Sequence, residues 1–308
     1  MGTQDQTLAG GEVAAAPRGL LYLALAVALV PFGLLVHRFD FLCDDAFITF
    51  RYSRNLAEGL GLVYNSPQLE APVEGYSEFL WAGLMALGMK VGASPEAASR
   101  TLSVLAGVLM VAALVRAMVR RYSDAPAAVL TSALMLGTAP PLAVWSTGGM
   151  ATMPTAALAV ALFLVAHGDP AEGWRRRALL LGLISAGLTL MRADAALLVA
   201  LILSPPIITG LACRDERQWR PALAAAATGA LVFFGHTAWR YSVYGDWVPN
   251  TARVKLGFSG AAAGRGFDYV VSAWLSMPGL ALIPLGALAG AWCSRRRVGA
   301  AEASGVAA

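Results

Sequence analysis

The chain has 308 residues, of which 57% are apolar and only 14% charged, with a formal net charge of +4 and a mean hydropathy of +0.62. A soluble domain carries roughly a quarter of its residues as charges, so the composition excludes an ordinary water-soluble fold and predicts an all-α integral membrane protein. The basic excess gathers in four short clusters at the ends of apolar runs, which positive-inside topology explains without a nucleic-acid partner.

Residues 1–18 are polar and small, lack a basic n-region and lead into a span, so they read as a cytoplasmic tail before a signal anchor. A membrane-crossing helix needs about 20 mostly apolar residues. Eight segments come near this: 19–36, 101–119, 126–145, 150–166, 178–191, 193–212, 221–239 and 270–292. They are continuous and rich in Leu and Ala, unlike the short alternating strands of a membrane barrel. Basic clusters recur at every second boundary: Arg116, Arg120 and Arg121; Arg175 to Arg177; Arg214, Arg217 and Arg220; Arg295 to Arg297. These mark cytoplasmic ends. Both termini, including the small, polar 293–308 tail, are then expected inside, and the loops 38–100 and 240–268 outside.

Cys43, Cys213 and Cys293 are too few and too separated for a disulfide framework. His37, His167 and His236 stand alone without metal-ligand spacing. The chain has neither a Walker motif nor a glycine-rich dinucleotide fingerprint, which leaves a nucleotide-driven pump unsupported.

The loop 38–100 carries the densest chemistry. "DDAFITFRYSRNLAEGLG" predicts a short helix with Ile48, Tyr52 and Leu56 on one apolar stripe and Arg51 and Arg54 on another face. Such a helix lies along the membrane rather than across it. A turn-rich stretch, "VYNSPQLEAPVEGY", follows, and then a second short apolar helix over about 78–91, dipping into the interface. Asp44 and Asp45 have two readings. One of them is the N-cap of the helix that follows; or the adjacent charges disfavour each other's ionisation and leave one acid able to take a proton in catalysis.

"DDAFITFRYSRNLAEGLGLVYN" followed by "VEGYSEFLW" resembles the first outer loop of C-type (GT-C) polytopic glycosyltransferases, nearest to the bacterial group that includes mycobacterial terminal arabinofuranosyltransferases. "VGASPEAASRTLSVLAGVLMVAALVRAMVRR" and "YGDWVPNTARVKLG" resemble further segments of that superfamily. The resemblance implies a GT-C-type bundle of about eight spans, 19–292, with two interfacial helices in its first outer loop, in a bacterial plasma membrane. It implies transfer of a sugar, such as a pentose, from a polyprenyl-phosphate donor to an envelope glycan or lipid acceptor outside. Asp44 or Asp45 would then be the general base. Arg51, Arg54, Arg192, Arg253 and Lys255 would be the candidates to steady the leaving phosphate, with Glu74, Asp194 and Asn250 as further substrate contacts. Each has a plainer reading: Arg51 and Arg54 pair with Asp44, Asp45 or Glu58; Arg192 pairs with Asp194 in a hinge; Lys255 snorkels; Trp81 and Trp247 anchor at the interface; "VEGY" is a turn. Asp44 and Asp45 offer oxygen ligands of the kind a divalent cation takes, without a full ligand set, and no other cofactor is required.

Two departures from the family pattern stand out. "GGMATM" places Ala151 where the group carries a glutamate. Related transferases also continue with further spans and often an outer domain, whereas this sequence stops at "SRRRVGAAEASGVAA", suggesting a shortened homologue, a fragment or a split gene. A second reading is therefore a non-catalytic relative that binds the lipid carrier or an envelope partner. A third, a transporter of a lipid-linked substrate, fits less well, because transport sites lie near the midplane at broken helices.

Overall fold

The computed structural model describes residues 17–65, 71–168, 173–250, 252 and 260–276. Among them eleven helices form and no strand: α1 Arg18–Arg38, α2 Asp44–Ala57, α3 Phe79–Lys90, α4 Pro95–Arg121, α5 Pro126–Gly137, α6 Pro140–Thr147, α7 Thr152–Ala166, α8 Trp174–Met191, α9 Ala195–Ala212, α10 Glu216–Tyr244 and α11 Gly260–Ser276. The chain divides into two compact units, Met1–Thr251 and Ala252–Ala308. In the second, α11 exposes Phe267, Tyr269, Val270, Trp274 and Leu275.

Four helices, α1, α4, α9 and α10, are long and apolar enough to cross a membrane. A fifth candidate is the pair α5 and α6, bent by 41°. The bend falls where Ala139 precedes Pro140 and adopts an extended backbone, the conformation that proline imposes on its predecessor. Segments 150–166 and 178–191 form α7, with 15 residues, and α8, with 18 residues opening on Trp174 and three arginines. At 1.5 Å per residue α7 reaches only about 22 Å, short of a hydrocarbon core of about 30 Å. The segment 270–292 begins inside α11 and otherwise lies outside the described residues. Leu23, Leu34, Leu105, Leu109, Leu197, Leu201, Leu231 and Phe234 project outward from the four long helices. A water-soluble bundle does not expose so much apolar surface, and the several long apolar helices are compatible with a multi-pass membrane protein.

Two packed cores divide the bundle. Ala24 and Ala28 of α1, Val111, Val115 and Val119 of α4, and Val129 and Ala133 of α5 form one. Leu162, Leu181, Leu188, Val199, Leu203, Ala222 and Ala225 from α7 to α10 form the other. Small residues allow the helices to close up, as is usual where lipid removes the hydrophobic drive between spans. A Cβ on Gly137 would collide with the Ala28 carbonyl oxygen. At one end of the bundle α2 and α3 pack together over a third cluster of Ala46, Phe50, Trp81, Met85, Ala151 and Met191, and this end holds the candidate site.

Helix ends are finished by local chemistry. Ser94 accepts the Ala97 N–H at the start of α4, with Pro95 behind it, and Asp215 accepts the Arg217 N–H at the start of α10. Arg177, buried, donates through Nη2 to the carbonyls of Val165, Ala166 and Gly168, satisfying the open C-terminal end of α7 where a cation also meets the helix dipole.

Candidate functional site

Backbone contacts stitch the chain leaving α1 onto the α6–α7 turn. Thr147 Oγ1 donates to the Phe39 carbonyl at 2.6 Å, and the Cys43 N–H donates to Gly148 O at 3.0 Å. Gly149 has φ +82°, and a Cβ there would lie 2.8 Å from both Ala46 Cβ and Leu42 Cδ2. Glycine is thus required both for the left-handed backbone and for the approach of α2. Trp81 is fully buried and donates its indole N–H to Gly149 O at 3.0 Å, so it ties α3 to the same turn instead of anchoring at an interface. Trp247 is exposed and stacks on Tyr241 with ring centroids 4.3 Å apart.

Asp44 and Asp45 occupy the first turn of α2, and the N-cap is Cys43, with no side-chain cap. Asp44 Oδ1 accepts the Asp45 N–H at 2.9 Å. Both carboxylates are exposed and benefit from the helix dipole without capping the helix as its N-cap residue. Successive helical residues point about 100° apart, and this separates the two. Asp44 shares an exposed face with Phe47, Arg51 and Arg54, whereas Asp45 stands close enough to Glu78 to act on its proton affinity. The buried face of α2 also differs from the expected Ile48–Tyr52–Leu56 stripe: Tyr52 is buried, Ile48 and Leu56 only half so, while Thr49, Ser53 and Asn55 go inside. Ser53 Oγ donates to Thr49 O and Asn55 Nδ2 to Val63 O.

Arg51 donates through Nε to Tyr64 O at 3.1 Å and lies 5.7 Å from the Tyr64 ring centroid; Arg54 is exposed. Among the described residues neither arginine forms an ion pair with Asp44, Asp45 or Glu58.

The turn between α8 and α9 brings a third stretch to the site. Arg192 grips Asp194 with two hydrogen bonds, Nε to Oδ1 at 3.0 Å and Nη2 to Oδ2 at 2.9 Å. Its remaining Nη1 stands 3.8 Å from Oε1 of Glu78. Glu78, at the start of α3, is 0% exposed. Its Oε2 accepts the Ala151 N–H at 3.2 Å, while Oε1 has no hydrogen-bond partner. Burial pushes the Glu78 pKa up to about 7. The Ala151 amide and Arg192 pull against that shift, and the charges of Asp194 and Asp45 add to it. Glu78 is not among the residues the sequence singles out. Its one signal is an acid at the start of an apolar helix, a position where Ser, Thr, Asp or Asn is preferred.

Glu74 and Asn250 belong to a neighbouring polar group. Glu74 is buried and paired through Oε2 with Nε of Arg240, also buried; burial raises the Glu74 pKa against the pull of that arginine. The Glu74 carbonyl accepts the Asn250 N–H at 3.1 Å. Around them Tyr52 donates to Val73 O at 2.6 Å and accepts the Gly75 N–H at 2.8 Å, Tyr76 meets Tyr244 at 3.3 Å, and Tyr244 donates to Leu62 O at 2.7 Å. Burial raises the pKa of both Tyr52 and Tyr76, keeping their hydroxyls available as donors. This arrangement fastens Leu62, Glu74 and Tyr76 to α10. Arg253 and Lys255 lie outside the described residues.

Cys43 Sγ and one carboxylate oxygen from each of Asp44 and Asp45 lie within 4.8 Å of one another. Two carboxylates supply part of a divalent-cation donor set, the remainder of which waters and a substrate phosphate complete at magnesium sites. Beside them an open cleft of 530 Å³ is lined by Asp40, Phe41, Leu42, Glu96, Arg100 and Thr147, with Arg100 paired to Asp40 at its wall.

Comparison with protein-family models, with curated proteins and with solved structures finds no match for this chain.

Proposed function

We propose that the chain is a membrane glycosyltransferase of the C type, with about eight spans and with α2 and α3 lying at the outer interface of a bacterial plasma membrane. It moves a sugar from a polyprenyl-phosphate carrier to an envelope glycan or lipid. One observation carries this reading: Asp45, Glu78, Arg192 and Asp194, drawn from α2, the start of α3 and the α8–α9 turn, gather at one end of an apolar bundle. There a membrane-bound phosphate and an acceptor from the aqueous side can meet.

In the step proposed, the acceptor hydroxyl gives its proton to the carboxylate of Asp45 or Asp44 as its oxygen bonds to the anomeric carbon. The bond from that carbon to the phosphate oxygen breaks, and the phosphate leaves with the electron pair. A phosphodiester is already a fair leaving group, so fixed positive charge matters more than its protonation. Arg192, Arg51 and Arg54 are the described candidates for that charge; the resemblance adds Arg253 and Lys255, and assigns Glu74 and Asn250 to the acceptor.

The test is transfer from a panel of polyprenyl-phosphate sugars by the purified chain in lipid discs, with and without chelator. Asp45→Asn is expected to lower turnover by about 10²- to 10⁴-fold, the usual share of a general base, while donor binding persists. Carrier binding with no turnover from any donor would instead make the chain a binding relative.

A further inference from the structure

Glu78 is a buried acid with one oxygen held and the other unpartnered. Oε2 is fixed by the Ala151 N–H at 3.2 Å; Oε1 finds no hydrogen bond and faces Arg192 Nη1 at 3.8 Å. That distance is short enough for attraction and too long for a hydrogen bond. Arg192 is meanwhile held on its other edge by both oxygens of Asp194. One guanidinium therefore stands between two acids, Glu78 from α3 and Asp194 from the α8–α9 turn, and a third, Asp45 from α2, is near enough to act on Glu78. The α6–α7 turn contributes only the neutral Ala151 amide. With every acid ionised, the group has a net charge of −2, a poor place for a phosphate.

We propose that Glu78 is a positioning residue for Arg192: neutral Glu78 leaves the Nη1 edge of the guanidinium to an anionic phosphodiester, and ionised Glu78 claims that edge and repels the anion. The inference deepens the proposed transferase and rests on that reading for the identity of the anion. Proton balance is simple. Above its transition Glu78 takes up one proton as the phosphodiester binds, and returns it when the anion leaves. Burial sets that transition at about 7, so both forms are accessible near neutral pH.

Binding of a farnesyl methyl phosphodiester to the full chain in lipid discs tests this, since such a probe keeps a single negative charge throughout the range. Wild type is expected to bind roughly fivefold more weakly at about pH 8 than at about pH 6, the change that follows if the Glu78 pKa is about one unit higher in the bound protein than in the free one. Glu78→Gln keeps a carbonyl oxygen for the Ala151 amide and is expected to bind at both pH values as wild type does at the lower one. Asp194→Asn, a second variant that folds independently of any change at position 78, is expected to bind more tightly while keeping the pH step.

Wild-type binding that does not change with pH, or a pH step that survives in Glu78→Gln, would overturn the role of Glu78 while leaving the transferase reading standing. Loss of the step in Asp194→Asn would overturn it as well, assigning the effect to Asp194. No phosphodiester binding at any pH would overturn both. Conversely, a pH step abolished by Glu78→Gln in a chain that transfers no sugar would keep this inference and remove the transferase.

Discussion

Asp44 and Asp45 are neighbours in sequence and yet differ in surroundings, because one helical step turns the second toward Glu78 and leaves the first beside Arg51 and Arg54. Asp45→Asn is accordingly expected to reduce transfer at least tenfold more than Asp44→Asn, as read from turnover at saturating donor. Glu78 carries its own pH signature. Its folded pKa, about 7, lies above the ordinary carboxyl value of 4.5, so the folded protein binds the extra proton between those values. Its contribution to stability is complete below about 4.5 and is lost as pH rises through about 7. Glu78→Gln should therefore raise the thermal midpoint in detergent more at pH 8 than at pH 5. The difference is on the order of 3 kcal/mol at most, reduced by the attraction to Arg192 that the substitution also removes. An equal effect at both pH values would show that burial does not disfavour the Glu78 charge.

At the level of elements, α2 depends on a seat made by the α6–α7 turn. Gly149→Ala would place a side chain on a left-handed residue, costing about 1–2 kcal/mol, and would drive its Cβ against Ala46 and Leu42. Loss of transfer with α1, α4 and α10 still folded by circular dichroism is the expected outcome, because the clash is confined to the seat of α2. The segment 73–76 depends on Glu74 and Arg240, which meet across 166 residues of sequence. Breaking a buried ion pair by removing one partner costs about 3–5 kcal/mol. Glu74→Gln and Arg240→Gln should each expose this stretch to protease, and the double variant should lose less than the sum of the two. Additive losses would mean that the pair does not hold the loop. A fall in turnover without any change in protease sensitivity would instead favour Glu74 as a substrate contact.

Across the whole molecule, the residues expected outside and those expected inside gather at opposite ends of the first unit. At one end the α6–α7 turn, residues 147–151, takes contacts from Phe39, Cys43, Trp81 and Glu78, and Glu78 meets Arg192, whereas Arg177 reaches Gly168 at the other. Free cysteines sample both: Cys43, half-buried beside Asp44, and Cys213, exposed after α9. In intact cells a membrane-impermeant maleimide should label the chain, and Cys43→Ser should abolish that labelling while Cys213→Ser leaves it unchanged; the reverse pattern would invert the topology. Bundle closure also relies on the Gly137–Ala28 crossing, where Gly137→Leu is expected to separate α5 from α1 and lower the thermal midpoint by several degrees.

Composition and hydropathy were enough to expect a helical chain with several helices long and apolar enough to cross a membrane, to place α1, α4, α9 and α10, and to find α2 and α3 in the long loop. These are local properties, set by apolar length, helical period and the nearest turn residues, and a window of about 20 residues contains them. The buried face of α2 was not legible, because Asn55 satisfies its amide on the Val63 and Tyr64 carbonyls, which come into place only in the folded loop, while Ser53 turns inward on the Thr49 carbonyl of its own helix. Glu78 was not legible either. A glutamate among apolar residues looks like a helix boundary until Ala151, Arg192 and Asp194 surround it, and its raised pKa arises from water excluded by those distant stretches. Which acid faces which arginine is a matter of how three turns meet in space, and that contact exists only once the helices have packed.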